Sequence, residues 1–498
     1  MKTPSVVCAV ALVLGCCASR LTAQNEPLTT EQKIDKLTAQ LEQAQRQVDT
    51  IRAELQSLKN EERGRIAAIV PAGAALPAAS LAGVVEQQEL EAAEIAQQQQ
   101  VKIESESKFP LRVTGLMLFN MARNYGVVDQ VDLPTGALIR KDGVSHGSLA
   151  ASLRQTWLGL EGAGPVLGGA HTSARIDLDF FGGITGGVAS GPAGVVRLRT
   201  GAIRADWQHD TVEVRVDSPL ISPLSPQSIA TVAQPALAWA GNLWTWAPEL
   251  RYEHRFDVGT KQSFTLEAGL RDAYATFTPL DQVSRPASPA EMTGVPAFEG
   301  RFAFGSRIAP GRQTLAYRGD SDGGWGVGFG GYVGKQNYGH GTTVNTWAIT
   351  GDWLIHVGKL FDVSGEAYRG TGLGGLGGGA YRDVVQGADS VTGQMRTFGL
   401  DASGGWLQID RSLSSRLRVN LAAGQDAGSG NELRSLTLPA PSNPLGYYAR
   451  NRSIFGNVIY RPWNSILLSP EYRFVQSWPI SGSANTAHIF TLSAGYQF

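Results

Sequence analysis

Phe490-Thr491-Leu492-Ser493-Ala494-Gly495-Tyr496-Gln497-Phe498 ends the chain. Counted by twos, Phe490, Leu492, Ala494, Tyr496 and Phe498 make one apolar face, and Thr491, Ser493, Gly495 and Gln497 make a small polar one. This is the period of a β-strand whose two faces meet different surroundings. The alternation recurs upstream. Ala174, Ile176, Leu178 and Phe180 oppose Ser173, Arg175, Asp177 and Asp179; Leu250, Tyr252, His254 and Phe256 oppose Glu249, Arg251, Glu253 and Arg255. Phe264, Leu266, Ala268 and Leu270 oppose Thr265, Glu267, Gly269 and Arg271, and Leu417, Val419, Leu421 and Ala423 oppose Arg416, Arg418 and Asn420.

Sixteen such strands are predicted, roughly 110–122, 152–161, 170–181, 195–207, 211–217, 249–256, 263–277, 296–308, 324–334, 343–355, 361–369, 394–409, 416–424, 450–460, 465–476 and 486–498. Connections after odd-numbered strands are mostly long (123–151, 218–248, 370–393, 425–449), and those after even-numbered strands mostly short (208–210, 257–262, 356–360, 461–464). The stretch 309–323 is an exception. An even strand count with this asymmetry is the layout of a bacterial transmembrane barrel. Composition agrees: 498 residues carry 60 Gly, 11 Trp, 17% charged residues and a mean hydropathy of −0.11, with no run of 18 apolar residues after residue 30. A membrane helix is therefore excluded there, whereas a barrel hides its lipid-facing stripe in alternation. The fold class expected is all-β, a 16-stranded antiparallel transmembrane β-barrel preceded by a short periplasmic α-helical coiled coil. Trp157, Trp207, Trp246, Trp353, Trp406 and Trp463 fall near strand ends, where interfacial girdle residues belong.

Residues 1–23 read as a signal peptide: Lys2, an apolar run from Val6 to Leu14, then Leu21-Thr22-Ala23 before Gln24. Val13-Leu14-Gly15-Cys16 is a rival lipoprotein-like site. Under the first reading Cys8, Cys16 and Cys17 leave with the signal, so no thiol chemistry is expected. In 30–63, Ile34, Leu37, Leu41, Ala44, Val48, Ile51, Leu55 and Leu58 recur in steps of three and four, a coiled-coil core that would join copies of the chain. Residues 64–108 form a linker with room for a short helix, and 109–498 form the barrel.

No G-x-S-x-G, P-loop, dinucleotide fingerprint or H-E-x-x-H occurs, so no enzyme, metal, cofactor or nucleic-acid partner is expected. The Gly374–Gly379 run reads as a flexible outer loop. The distinctive feature is the cation: residues 109–498 hold 28 Arg and only 4 Lys against 30 carboxylates. Parity turns Arg112, Arg154, Arg175, Arg197, Arg199, Arg215, Arg251 and Arg271 inward, with Asp177 and Asp179, so these are the candidate pore-lining residues. Arginine keeps its charge when partly desolvated and suits anions, but the inward acids are numerous enough to pair with it. The connection 218–248, third on the long side, is expected to fold into the lumen opposite Arg197, Arg199 and Arg215.

The aromatic terminus resembles the closing strand of outer-membrane barrels, and on that likeness Phe490, Leu492, Tyr496 and Phe498 are the signal read by the barrel-insertion machinery. Leu111-Arg112-Val113-Thr114-Gly115, Arg154-Gln155-Thr156-Trp157-Leu158-Gly159-Leu160 and Ile176-Asp177-Leu178-Asp179-Phe180-Phe181-Gly182 resemble the trimeric porins of the DcaP type, which are related to phosphate-selective porins. The resemblance implies a homotrimer in outer-membrane lipid, its coiled coil in the periplasm, passing dicarboxylates and other small anions. It also implies that Arg197-Leu198-Arg199 is the Arg-bearing pore strand. The chain lacks the lysine-rich loops of phosphate-selective members, which argues against phosphate. Two rivals to a porin are a structural barrel anchoring a coiled-coil spacer, which would not need to conduct, and an outer-membrane hydrolase, which would lose activity with one side chain.

Overall fold

The computed structural model describes residues 102–103, 110–183, 194–272, 286–306, 324–358, 361–389, 391–439 and 444–498. The residues read as signal peptide and coiled coil lie outside these, as does nearly all of the linker. Eighteen hydrogen-bonded segments build one closed antiparallel barrel of sixteen staves. They are β1 (Leu111–Tyr125), β2 (Gly147–Ser152 and Trp157–Leu167), β3 (Ala170–Asp179), β4 (Arg197–Asp206), β5 (Asp210–Asp217), β6 (Ala247–Val258), β7 (Gln262–Arg271) and β8 (Ala297–Ser306). The other half comprises β9 (Gly326–Asn337), β10 (Thr343–Val357), β11 (Phe361–Thr371), β12 (Asp401–Ser414), β13 (Leu417–Gly428), β14 (Tyr448–Trp463), β15 (Ile466–Pro479) and β16 (Asn485–Gln497). Lys102–Ile103 adds a two-residue extension on β1.

The final stave closes the sheet. β1 pairs with β16 from Leu116↔Gln497 to Tyr125↔His488, and the Phe498 carbonyl accepts the Gly115 N–H at 2.9 Å. Gly115 is needed there, because a Cβ would stand 2.7 Å from the Phe498 ring. Side chains sort by parity as the sequence requires. Ile176, Leu250, Leu266, Leu421, Phe490, Leu492 and Tyr496 are exposed on the outer face, while Asp177, Glu249, Arg251 and Glu267 are buried inside. Among the described residues no helix is long and apolar enough to cross a membrane.

Four expectations need correction. The second stave starts earlier than residue 152 and is broken: Gly147–Ser152 pairs with the upper half of β1 and Trp157–Leu167 with the lower half. In the break the Thr156 hydroxyl accepts the Leu118 N–H at 3.0 Å, so a side chain replaces the missing rung. Met395–Gly399 belongs not to the barrel but to a small sheet with Val384–Asp389 and Leu436–Thr437, and β12 starts only at Asp401. The Gly374–Gly379 run forms two tight 3-10 turns whose glycines are buried against the third long loop, with the Trp244 N–H donating to the Leu376 carbonyl at 3.0 Å. Small residues there serve close packing rather than looseness. Finally, Trp157 and Trp406 face inward and are buried, and Trp246 packs over arginine. Of the expected girdle, Trp463 stands on the outer face, with Tyr460 and Tyr496 as outward aromatics.

Candidate functional site

The site is the lumen, and its shape is set by the loop 218–246 between β5 and β6. This loop folds inward, and the inner wall receives it group by group. Glu299 on β8 accepts the Leu220 N–H at 2.6 Å, and Thr350 on β10 donates to the Ile221 carbonyl at 2.7 Å. Glu366 on β11 accepts the Leu224 N–H at 2.7 Å, the Ser222 hydroxyl and the Trp406 indole N–H. Gln408 on β12 accepts the Gln227 N–H at 2.6 Å, and Glu471 on β15 accepts the Ser228 hydroxyl. Gln155, turned inward at the break in β2, accepts the Val232 N–H at 2.7 Å and donates to the Ala230 carbonyl at 2.9 Å. The loop then returns past β14, where Asn451 donates to the Trp239 carbonyl at 3.0 Å. A segment this polar in backbone can be buried only if its N–H and C=O groups find partners, and the wall supplies many of them while turns within the loop supply others.

Close approach also needs missing side chains. Gly241 has φ +105°, and a Cβ on it would lie 2.1 Å from the Gly405 carbonyl oxygen; on Gly424 a Cβ would meet the Ala240 carbonyl at 2.2 Å. Leu237 and Trp239 hold φ near +60°, and Tyr381, at φ 71°, stacks on Trp239 with ring centroids 4.6 Å apart. Burial and the nearby Asp129 hold the Tyr381 phenol well above its ordinary range.

The expected arginines fall into three groups. Arg112 is exposed at the start of β1 and makes a rung with Lys102. Arg175, Arg215, Arg251 and Arg271 are built into a charge ladder across the inner wall. Arg175 pairs with Asp177 at 2.8 Å, Arg215 with Glu249 at 3.2 Å, and Arg271 with Glu249 at 3.2 Å and Glu299 at 3.5 Å. Arg251 bridges Glu213, Glu253 and Glu267, and Arg301 continues the row to Glu267 at 2.6 Å and Asp352 at 2.7 Å. Arg154, Arg197 and Arg199 gather around aromatic rings. Arg154 reaches Asp132 at 3.0 Å and lies over Phe181; Arg197 pairs with Asp179 at 2.7 Å; and Arg197 and Arg199 both lie over Trp246.

The loop therefore does not face Arg197, Arg199 and Arg215 across a gap. Arg197 donates to the Ala233 carbonyl and Arg215 to that of Ser218, so they hold it. Nothing in the charge pattern of the sequence marks Glu366, Gln155, Gln408 and Asn451 as loop-holding residues. Their signal is positional: polar residues of inward parity facing a Pro- and Ser-rich insertion that has donors to satisfy. Among the described residues no group of three or more His, Cys, Asp or Glu could hold a metal ion.

No protein-family model matches the chain, and no curated protein matches it. Solved structures do. The outer membrane channel DcaP of Acinetobacter baumannii is 16% identical over 80% of this chain and all of its own length, with a TM-score of 0.56. An anion-selective porin from Comamonas acidovorans (11% identity, 78% of this chain, 100% of that one) and Pseudomonas putida OprB (9%, 78% and 94%) give TM-scores of 0.45 and 0.44. At 16% identity the likeness to DcaP is one of fold: the sixteen-stave barrel of this chain is built like the barrel of that channel.

Proposed function

We propose that the protein is an outer-membrane porin through which small hydrophilic solutes diffuse passively, with a preference for organic anions such as dicarboxylates. The supporting observation for a channel is the closed barrel, apolar outside and charged inside, with one loop folded into its lumen. Preference for anions rests on the depth of each charge. In the Arg197–Asp179 pair the arginine side chain is 27% exposed and the carboxylate 0%; in Arg175–Asp177 the values are 18% and 1%. In these two pairs the acid lies beneath and the guanidinium stands forward, so a solute passing Arg175 and Arg197 meets positive charge first. In this reading Arg154, Arg175, Arg197 and Arg199 line the path. Phe490, Leu492, Tyr496 and Phe498 guide insertion, and Ile34 to Leu58 join three copies on the periplasmic side.

Reversal potentials across planar bilayers under gradients of potassium chloride and potassium succinate test this. Anion-selective potentials are expected, with selectivity reduced in Arg197→Gln. A cation-selective channel would overturn the preference, and no conductance at all would overturn the porin.

A further inference from the structure

On the outer face of the barrel a groove of ≈ 710 Å³ runs across β13–β16, β1 and the first part of β2. That volume lies within the range of small-molecule sites, about 300–1,000 Å³. Met121, Leu149, Leu421, Tyr472, Phe490 and Leu492 line it, and all six are exposed. The trough exists because β14 presents Gly456 there, between the outward Ile454 and Val458. A Cβ on Gly456 would meet nothing nearer than 3.8 Å, so the wall itself leaves room for a side chain. Glu471 reaches the lining from the inner side, with its carboxylate turned onto Arg473 at 2.8 Å and the Ser228 hydroxyl.

Arg123 lines the same groove and lies over the Tyr125 ring, 4.9 Å from its centre. It belongs to a series. Arg123 on β1, Lys335 on β9, Arg369 on β11 and Arg450 on β14 each stand third from the long-loop end of their stave, on the outer face. Arg452 takes the next outward position of β14, and it lies with Arg450 over the Trp478 ring, at 5.2 and 3.8 Å. Gln425, a neutral acceptor, holds Arg452 at 2.7 Å. Among the described residues none of these five cations is ion-paired. Charge on a lipid-facing wall costs least where the apolar band gives way to headgroups, and a guanidinium fork matches phosphate. Copies of the chain in one membrane stand at the same depth, so contact between them would set this collar of cations against its like. The charge therefore fits a lipid phosphate better than a second copy.

We propose that the groove binds an anionic, phosphate-bearing lipid of the leaflet at the long-loop end, with an acyl chain along Gly456 and the phosphate on Arg123. Arg452 lies about 13 Å from Gly456 along β14, within reach of a large headgroup. The site depends on the barrel lying in a membrane and not on the conduction of solutes. Native mass spectrometry of the full-length protein, released from detergent micelles doped with one lipid at a time, measures what stays bound. Dioleoyl phosphatidic acid is the probe; dioleoyl phosphatidylcholine has the same chains without the net charge, and inorganic phosphate has the charge without the chains. Phosphatidic acid is retained at least tenfold more tightly than phosphatidylcholine, and inorganic phosphate at equal concentration does not displace it. Arg123→Gln/Arg450→Gln/Arg452→Gln, checked for its heat-modifiable folded band, abolishes the difference between the lipids. Gly456→Leu, which fills the groove and keeps every cation, weakens both lipids at least tenfold. Lys335→Gln/Arg369→Gln, away from the groove, leaves the retention of phosphatidic acid unchanged. Equal retention of the two lipids, displacement by inorganic phosphate, an equal loss in Lys335→Gln/Arg369→Gln, or unchanged retention in both groove variants overturns the site. So does a change of oligomeric state in a groove variant with its bound lipid unchanged, which assigns the face to a second copy.

Discussion

The two halves of the barrel wall are built from different polar chemistry. From β5 to β8 the buried inner face is almost wholly ionic: Glu213, Glu249, Arg251, Glu253, Arg255, Glu267, Arg271 and Glu299. From β12 to β16 it is mostly neutral, with Gln408, Asn420, Asn451, Ser453, Asn457, Ser469, Ser477 and Ser493 in the corresponding places. The difference follows what each half must do. The ionic half anchors the two ends of the inward loop, where Arg215 donates to the Ser218 carbonyl and Arg271 to those of Asp217 and Thr245. The neutral half receives the middle of the loop through isolated amides: Gln408 accepts the Gln227 N–H, and Asn451 donates to the Trp239 carbonyl of the loop and to the Thr135 carbonyl. A network of charges is intolerant of loss; isolated amides are expendable one at a time.

Four changes would break or sharpen this contrast. Arg251→Met should be the most damaging, because it leaves Glu213, Glu253 and Glu267 buried without their shared cation. A cost of about 3–5 kcal/mol is expected, read as a lower denaturant midpoint for loss of the compact form in detergent. If Arg251→Met were as stable as the parent, the ionic half would be no more integrated than the neutral one. Glu366→Ala comes next, since it strands the Leu224 N–H, the Ser222 hydroxyl and the Trp406 indole at once. Besides a loss of about 1–3 kcal/mol, the freed loop should raise single-channel conductance; an unchanged conductance would show that the loop is held elsewhere. Gly241→Ala should act in the same direction, because φ +105° and the Gly405 carbonyl leave no room for a Cβ, at about 1–3 kcal/mol for a strained backbone. A variant that conducts and melts like the parent would mean that the loop does not approach the wall there. The smallest effect is Asn420→Ala in the neutral half, which removes one bond to Asn457 and should cost about 1 kcal/mol. A loss comparable with that of Arg251→Met would erase the distinction.

Much of the wall was legible in the sequence because strand parity reports which face of the barrel a side chain takes. Ile176 against Asp177, or Leu250 against Arg251, reads the same in the chain and in the fold. Sixteen stave positions follow from that alternation and from the rhythm of long and short connections. Parity fails where the chain leaves the ladder. Trp157 and Trp406 sit at strand positions that suggested a membrane girdle, yet local phase turns them inward, Trp406 onto Glu366. Met395–Gly399 alternates well enough to pass for part of a stave, but pairs instead with Val384–Asp389 above the rim. The arginines were visible as a composition bias, but their partners were not. Which carboxylate Arg271 meets depends on the register between β6, β7 and β8, and register is a property of three strands together.

The seam where β1 meets β16 joins Leu116 to Gln497, so it ties together residues almost four hundred positions apart. Every other stave contact joins segments much nearer along the chain. Loop-closure entropy makes that last stitch the slowest to find by diffusion. Until it forms, two raw sheet edges are available to any neighbouring strand. A pause in assembly at this point would therefore favour strand exchange between copies.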